Sequence, residues 1–293
     1  MSNNNLLFSH RGSEPENSVL YIVGTPIGNL DDISIRAKNI LSKVSFIACE
    51  DTRNTIKLLN HLEITNKLIS FHKYNSNKKS DFLISKLQNG DSIAIVSDAG
   101  MPLISDPGES LVKKIREKDL DVICVPGPNA ALTALVSSGL TTTQFTFYGF
   151  IPRSGKKRLA QLKLISENKL TSIVYESPKR ILKFLVDLKK VCGGERRIVI
   201  IKEMTKKFEQ HFGYKIDDLI KIFDKIIPMG EHTIVIGSNT NVEEELNEYK
   251  DLKIDLINLI KAGLSHSSAS NYLSKKSGKS KRDIYNLILE NDI

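Results

Sequence analysis

The chain contains no tryptophan and only three cysteines among its 293 residues. Cys49, Cys124 and Cys192 are far apart, odd in number and without zinc-type spacing, so neither a disulfide framework nor a metal site is expected. Cys49 and Cys124 lie in apolar runs and read as buried thiols, which points to a reducing compartment and a cytoplasmic location. No apolar stretch is long enough to span a bilayer, so no membrane association is expected. The opening residues, Met1 to Arg11, lack the long apolar core of a secretory signal, and residues 1–18 read as a polar, disordered segment. Familiar nucleotide fingerprints are missing too. The loop at Gly24 lacks Gly-x-Gly-x-x-Gly spacing and no Walker lysine follows it, which excludes the common dinucleotide and P-loop folds. Neither solenoid-period repeats nor the aromatic–basic interleaving of RNA-recognition modules is present.

Charge of one sign is in excess. The formal net charge is +8, and it collects at Arg153, Lys156, Lys157 and Arg158, at Arg180 with Lys179 and Lys183, around Lys202–Lys207, and at Lys275, Lys276, Lys279, Lys281 and Arg282. Such clusters fit a polyanionic partner, although a lysine-rich composition can also serve solubility alone. The 40% hydrophobic content suffices for cores in two domains.

Residues 92–108 carry the most information. The apolar run Ile93–Val96 reads as a buried strand, and Asp98, Gly100, Pro102, Pro107 and Gly108 follow it before a helix with Leu111, Val112 and Ile115 on one face. Two other strands end in similar loops, Leu20–Gly24 before Thr25–Leu30 and Val122–Val125 before Pro126–Ala130. Open α/β sheets place ligands at such strand ends, so three loops of this kind are expected to line one crevice. Strand-like runs alternate with helical ones over 19–150, predicting a mostly parallel sheet covered on both faces. A second α/β unit is expected over 151–238, with an antiparallel hairpin of Ile198–Lys202 and Phe208–Gly213. Residues 239–250 read as an acidic linker, and 251–293 as a helix-turn-helix-like unit with Ser265 and Ser280 as helix caps. That tail fits nucleic-acid binding or a structural or dimer-bracing role.

Taken together, Val23–Leu30, Glu50–Arg53, Phe71–Asn75, Ser97–Gly108, Val125–Leu132, Tyr148–Arg153, Tyr175–Arg180 and Gly230–Gly237 come in the order and spacing of one family. Over residues 19–293 the chain resembles the tetrapyrrole methylase superfamily, in its ribosomal RNA small-subunit methyltransferase I branch. The resemblance implies two α/β domains with a cofactor cleft between them, a homodimer, and S-adenosyl-L-methionine as methyl donor. It implies as substrate a cytidine ribose 2′-hydroxyl in the decoding centre of 16S rRNA, free or in the small ribosomal subunit. The positions it implies at the cofactor are Pro26, Asp98, Gly100, Met101, Ser105, Asn129 and Ala130, with Tyr175, Met204, His232 and Thr233 on the opposite wall. Lys179 stands where the family pattern often carries another residue, so no catalytic role attaches to it.

Methyl transfer from a sulfonium asks the protein mainly for positioning and for removal of the acceptor's proton. Glu50, Arg53, His72 and Asn75 follow two expected strands at their C-terminal ends and are the candidates around the acceptor. Which of them takes the proton is left open, and Asp51 can equally be a helix cap. Arg153, Lys156, Lys157, Arg158, Arg180, Lys275, Lys276, Lys281 and Arg282 are the candidate RNA contacts. A tetrapyrrole methyltransferase and a non-enzymatic nucleic-acid-binding protein are the alternatives. The basic tail argues against the first, and the glycine-lined loops argue against the second.

Overall fold

Short apolar runs build the first sheet, three of them leading into loops rich in glycine and proline. The computed structural model describes residues 14–239 and 242–288. Strands β1 (Val19–Val23), β2 (Phe46–Cys49), β3 (Leu68–Ser70), β4 (Ile93–Val96) and β5 (Asp121–Val125) pair in the order β3-β2-β4-β1-β5, all parallel. Between them run α1 (Ile35–Lys43), α2 (Thr52–His61), α3 (Ser76–Gln88) and α4 (Glu109–Arg116), with α5 (Ala130–Ser137) after β5. Strand side chains alternate between two cores. Val19, Tyr21, Val23 and Ile47 meet Ile40, Leu41, Leu58 and Leu59 of α1 and α2. Leu20, Phe46, Ile93 and Ile95 meet Leu83, Leu87, Leu111 and Ile115 of α3 and α4. Both faces are therefore covered, as parallel sheets require.

The second sheet holds β6 (Phe145–Phe150), β7 (Thr171–Glu176), β8 (Arg197–Lys202), β9 (Gln210–Lys215) and β10 (His232–Ile236), in the order β6-β7-β10-β8-β9. Only β6 and β7 run parallel; the expected hairpin is present as β8 and β9. Helices α6 (Gly155–Glu167), α7 (Ile181–Cys192) and α8 (Ile216–Phe223) bury Leu162, Phe184, Leu188 and Leu219 against Val174, Ile198, Ile200 and Ile234. The opposite face presents Ile173, Val199, Ile201 and Val235 to Ala131, Ala134 and Leu135 of α5. This shared core ties the two halves into one unit ending at Ser238.

The structure corrects several sequence expectations. β6, assigned to the first domain over 19–150, pairs with β7 and belongs to the second sheet, so the boundary lies before Phe145. Alternation alone does not say which sheet a strand joins. The linker expected over 239–250 is instead helical from Val242, the start of the 20-residue α9 (Val242–Lys261). The stretch has neither glycine nor proline and is rich in good helix formers. With α10 (His266–Ser277) and α11 (Lys281–Asn286) it forms a separate unit around Leu252, Leu256, Ala269, Leu273 and Ile284. Ser265 caps α10 by accepting the N–H of Ser268 at 3.2 Å, whereas Ser280 makes no side-chain cap bond. Cys49 is buried, but Cys124 is exposed because β5 is an edge strand. Of the expected disordered segment, residues 1–13 lie outside the described residues. Residues 14–18 are fastened down: Glu14 accepts two bonds from Arg36, at 2.6 and 2.8 Å, and the Glu16 N–H donates to the Tyr21 hydroxyl.

Candidate active site

The loops after β4, β1 and β5, three adjacent strands, converge as expected. Thr25 and Gly100 exchange backbone hydrogen bonds of 2.9 and 3.1 Å, and the Gly24 N–H donates to Val125 at 3.2 Å. Gly24 and Gly127 lie so close that a Cβ on Gly24 would sit 2.7 Å from the Gly127 Cα. Any side chain there would force the loops apart. Leu103 and Ser105 adopt left-handed φ angles of 73° and 69°, a backbone state that costs roughly 1–3 kcal/mol per residue and marks functional loops. A bulge at Gly149 in β6 makes room for Ser105, whose Oγ would lie 3.0 Å from a Cβ at that position.

These loops and the facing ends of β7, β8 and β10 enclose a cavity of about 380 Å³. Asp98, Gly100, Met101, Ser105, Asn129 and Ala130 line it from the first half, and Tyr175, Met204, His232 and Thr233 from the second. Pro26 does not line it; the neighbouring Ile27 does. Among the lining residues that sequence reasoning missed are Asp106, Glu176, Ile27 and Ile201. Asp106 lay inside the recognised 97–108 loop, but its spacing gave no reason to prefer it over Asp98.

Asn129 accepts the Leu132 N–H at 3.1 Å and so caps α5, whose first turn opens on the cavity. Asp98 is not a cap on α4, which begins after Gly108. Its carboxylate accepts the Asp51 N–H at 3.1 Å and an Asn54 side-chain N–H at 3.0 Å, joining the β4 loop to the start of α2. The Tyr175 ring is held edge-on by Phe147 and Phe150, at 5.1 and 5.4 Å between centroids. Burial pushes its phenol up to about 12, against a hydrogen bond with the Ala131 backbone, so the site holds a neutral hydroxyl. The His232 ring packs edge-on to Phe223 on the other face of the sheet, and burial lowers its basicity. What His232 brings to the cavity is main chain rather than an imidazole.

The four residues expected at the acceptor do not line this cavity; they follow β2 and β3, one and two strands farther out. Glu50 is half-buried. Burial raises its carboxyl, as do the charges of Asp106 and Asp98, while His72 works the other way. Asp106 is raised chiefly by burial, with a hydrogen bond from Ser97 opposing. Arg53 is exposed, and its guanidinium folds onto Asp51 at 2.6 and 3.0 Å, holding that carboxyl at about 2. Asp51 also caps α2, accepting the Arg53 N–H at 2.9 Å. Asn75 braces the His72 loop, accepting the His72 N–H at 2.9 Å and lying 3.3 Å from its Nε2.

Among the basic candidates one is overturned. Arg158 is only 3% exposed, donating to Asp187 and to the Pro152 carbonyl at 3.0 Å and lying 3.7 Å from Glu176. Sequence placed it among the candidate RNA contacts, but its position on the inner face of α6 makes it a core ion. Arg180 spans Glu176 at 2.5 Å and the Ser177 hydroxyl at 2.8 Å. Arg153, Lys156 and Lys157 are exposed and make no ion pair among the described residues. In the helical unit Lys275 and Arg282 are exposed, Lys276 pairs with Asp255 at 3.4 Å, and Lys281 donates to Ser267 at 3.0 Å. No group of three or more His, Cys, Asp or Glu among the described residues is placed to hold a metal ion, and no described helix is long and apolar enough to cross a membrane.

Residues 19–220 match the family model of the Tetrapyrrole (Corrin/Porphyrin) Methylases. The Ribosomal RNA small subunit methyltransferase I of Synechocystis sp. is 40% identical over 93% of this chain and 98% of its own. The protein of that name from Vibrio cholerae is 48% identical over 69% of this chain and 70% of its own, and that from Escherichia coli O157:H7 is 38% identical over 96% and 98%. Among solved structures, diphthine synthase superposes with a TM-score of 0.60 at 13% identity, covering 78% of this chain and 93% of its own. A cobalt precorrin-4 methyltransferase gives 0.57 at 14% identity, over 75% and 95%. These last two similarities speak for the fold. The chain belongs to the tetrapyrrole methylase family, in its ribosomal RNA small subunit methyltransferase I branch.

Proposed function

We propose that the protein transfers a methyl group from S-adenosylmethionine to the ribose 2′-hydroxyl of a cytidine in the decoding centre of 16S rRNA, acting in the cytoplasm as a homodimer. The observation that carries this reading is the likeness to ribosomal RNA small subunit methyltransferases I over nearly the whole chain, helical unit included. The cavity fits the donor. Its size lies within the range of small-molecule sites, and the close packing of Gly24 on Gly127 holds the β1 and β5 loops together behind it. Ile27, Met101, Ile201 and Met204 offer apolar wall, while Asp98, Asn129 and Thr233 offer polar groups at the rim. S-adenosylmethionine supplies a methyl on a sulfonium centre that carries its own leaving group.

In this reading Asp98 and Asp106 set a negative field around the bound cation, and the α5 N-terminus receives its anionic end. Glu50, with its raised carboxyl, receives the ribose proton or orders the water that does. His72, steadied by Asn75, flanks the acceptor. Arg53 acts through Asp51 on the α2 start rather than on the substrate. Arg153, Lys156 and Lys157 meet phosphates, with the basic face of the helical unit. The test is transfer of labelled methyl from S-adenosylmethionine to unmethylated small subunits, protein-free 16S rRNA and a tetrapyrrole, side by side. Label in RNA supports the reading, and label only in the tetrapyrrole overturns it.

A further inference from the structure

Aromatic rings are scarce in this chain, and one of them is spent in open solvent. Tyr74 is 95% exposed, more than Tyr214 at 71% or Phe208 at 68%, and the most exposed aromatic among the described residues. A ring so placed gains nothing from burial and adds nothing to the core. Its described contacts are both with His72: the ring meets the imidazole edge-on, 6.1 Å between centroids at 65°, and its N–H lies 3.3 Å from Nδ1. The ring thus has one neighbouring ring and leaves nearly all of its surface bare.

Its position gives that ring a use. β2 and β3 pair Cys49 with Ser70, and the Phe71 N–H donates to Cys49 at 2.7 Å, so Glu50 and His72 emerge side by side. The strands lie in the order β3-β2-β4, and the Asp51 N–H, next to Glu50, donates to the cavity residue Asp98 at 3.1 Å. Tyr74 therefore ends a line that begins in the cavity and passes the groups at the acceptor, within a nucleotide's reach of His72. The surroundings are cationic: Lys73 and Lys78 are exposed and have no acidic partner among the described residues. A bare aromatic face flanked by unpaired lysines is the chemistry that takes an unstacked base and its phosphates.

From this arrangement we infer that Tyr74 is a stacking platform for a base of single-stranded RNA next to the acceptor nucleotide. The inference deepens the RNA reading above and rests on it. Its test uses the full chain and unmethylated small ribosomal subunits. Tyr74→Ala should raise KM for subunits about five- to hundredfold, the range expected for loss of one stacked base. Turnover and S-adenosylmethionine affinity should stay within about twofold of wild type, because the ring touches neither core nor cavity. Tyr74→Phe should behave as wild type and Tyr74→Leu as the alanine variant, since stacking needs a flat ring and not mere apolarity. An unchanged KM in the alanine variant, or full rescue by leucine, overturns the platform. Should wild-type protein transfer no methyl group to subunits, the proposed reaction falls instead, and the same ranking measured as subunit binding still decides the platform.

Discussion

Asp98 does two jobs at once, which changes what its removal should do. It lines the cavity and also accepts two hydrogen bonds from the β2–α2 turn. Asp98→Ala should weaken S-adenosylmethionine binding at least about tenfold by calorimetry, and should also lower stability by about 1–3 kcal/mol through the unmet donors. Glu50 carries a signature in pH. Its carboxyl is raised in the folded protein, so folding favours its neutral form. The stability it lends is full below the ordinary carboxylate range and is lost as pH rises through the folded value. Glu50→Gln should therefore raise the melting temperature at pH 7 and lose that advantage near pH 4. In turnover the same substitution should cost about a hundredfold and remove a rising limb that lies above the ordinary glutamate range. A fully active Glu50→Gln protein would contradict the assignment of the proton. Arg158 is the counterexample among the basic residues. Arg158→Ala should cost about 3–5 kcal/mol by denaturant melting, because Glu176 and Asp187 lose their buried partner. Sequence could not distinguish it from Lys156 and Lys157, since a single residue's step around the helix separates an exposed position from the core.

At the scale of elements, strands and helices of the α/β halves were legible because their periods are strong. The expected hairpin is present as β8 and β9, and the three strand-end loops meet in one crevice. What sequence did not show is partnership. Nothing in Phe145–Phe150 says that it joins β7, and nothing in the acidic run after Val242 separates a linker from a helix. The cavity proposed for the donor was legible as a crevice, because backbone loops and glycines build it and leave a pattern. The proposed acceptor side was less so, because Arg53 and Asn75 are engaged with Asp51 and His72 by side-chain geometry that spacing does not encode. The helical unit around Leu256 and Leu273 has its own core. A chain ending at Ser238 should keep S-adenosylmethionine affinity while losing affinity for small subunits, most visibly at raised salt. Loss of cofactor binding in a folded truncated protein would mean that the unit completes the cavity.

For the molecule as a whole, the account joins a fold shared with tetrapyrrole enzymes to a substrate of a different class. What is shared is the fold, which brings the strand-end loops into one crevice. The parts proposed to serve the RNA substrate are Glu50 and His72 beyond it, the exposed ring and lysines of residues 73–78, the basic start of α6, and the helical unit. The central claim is that the methyl group goes to a ribose oxygen of RNA, and the chemistry of RNA itself reports on that. A 2′-O-methylated nucleotide cannot cleave its own phosphodiester in alkali, because the attacking hydroxyl is capped. Small subunits lacking the modification, treated with this protein and S-adenosylmethionine, should yield 16S rRNA with one new alkali-resistant linkage after a decoding-centre cytidine, and mass spectrometry should find the added methyl on that ribose. A methyl group found on a base, or RNA left unmodified while a tetrapyrrole is methylated, would contradict the account.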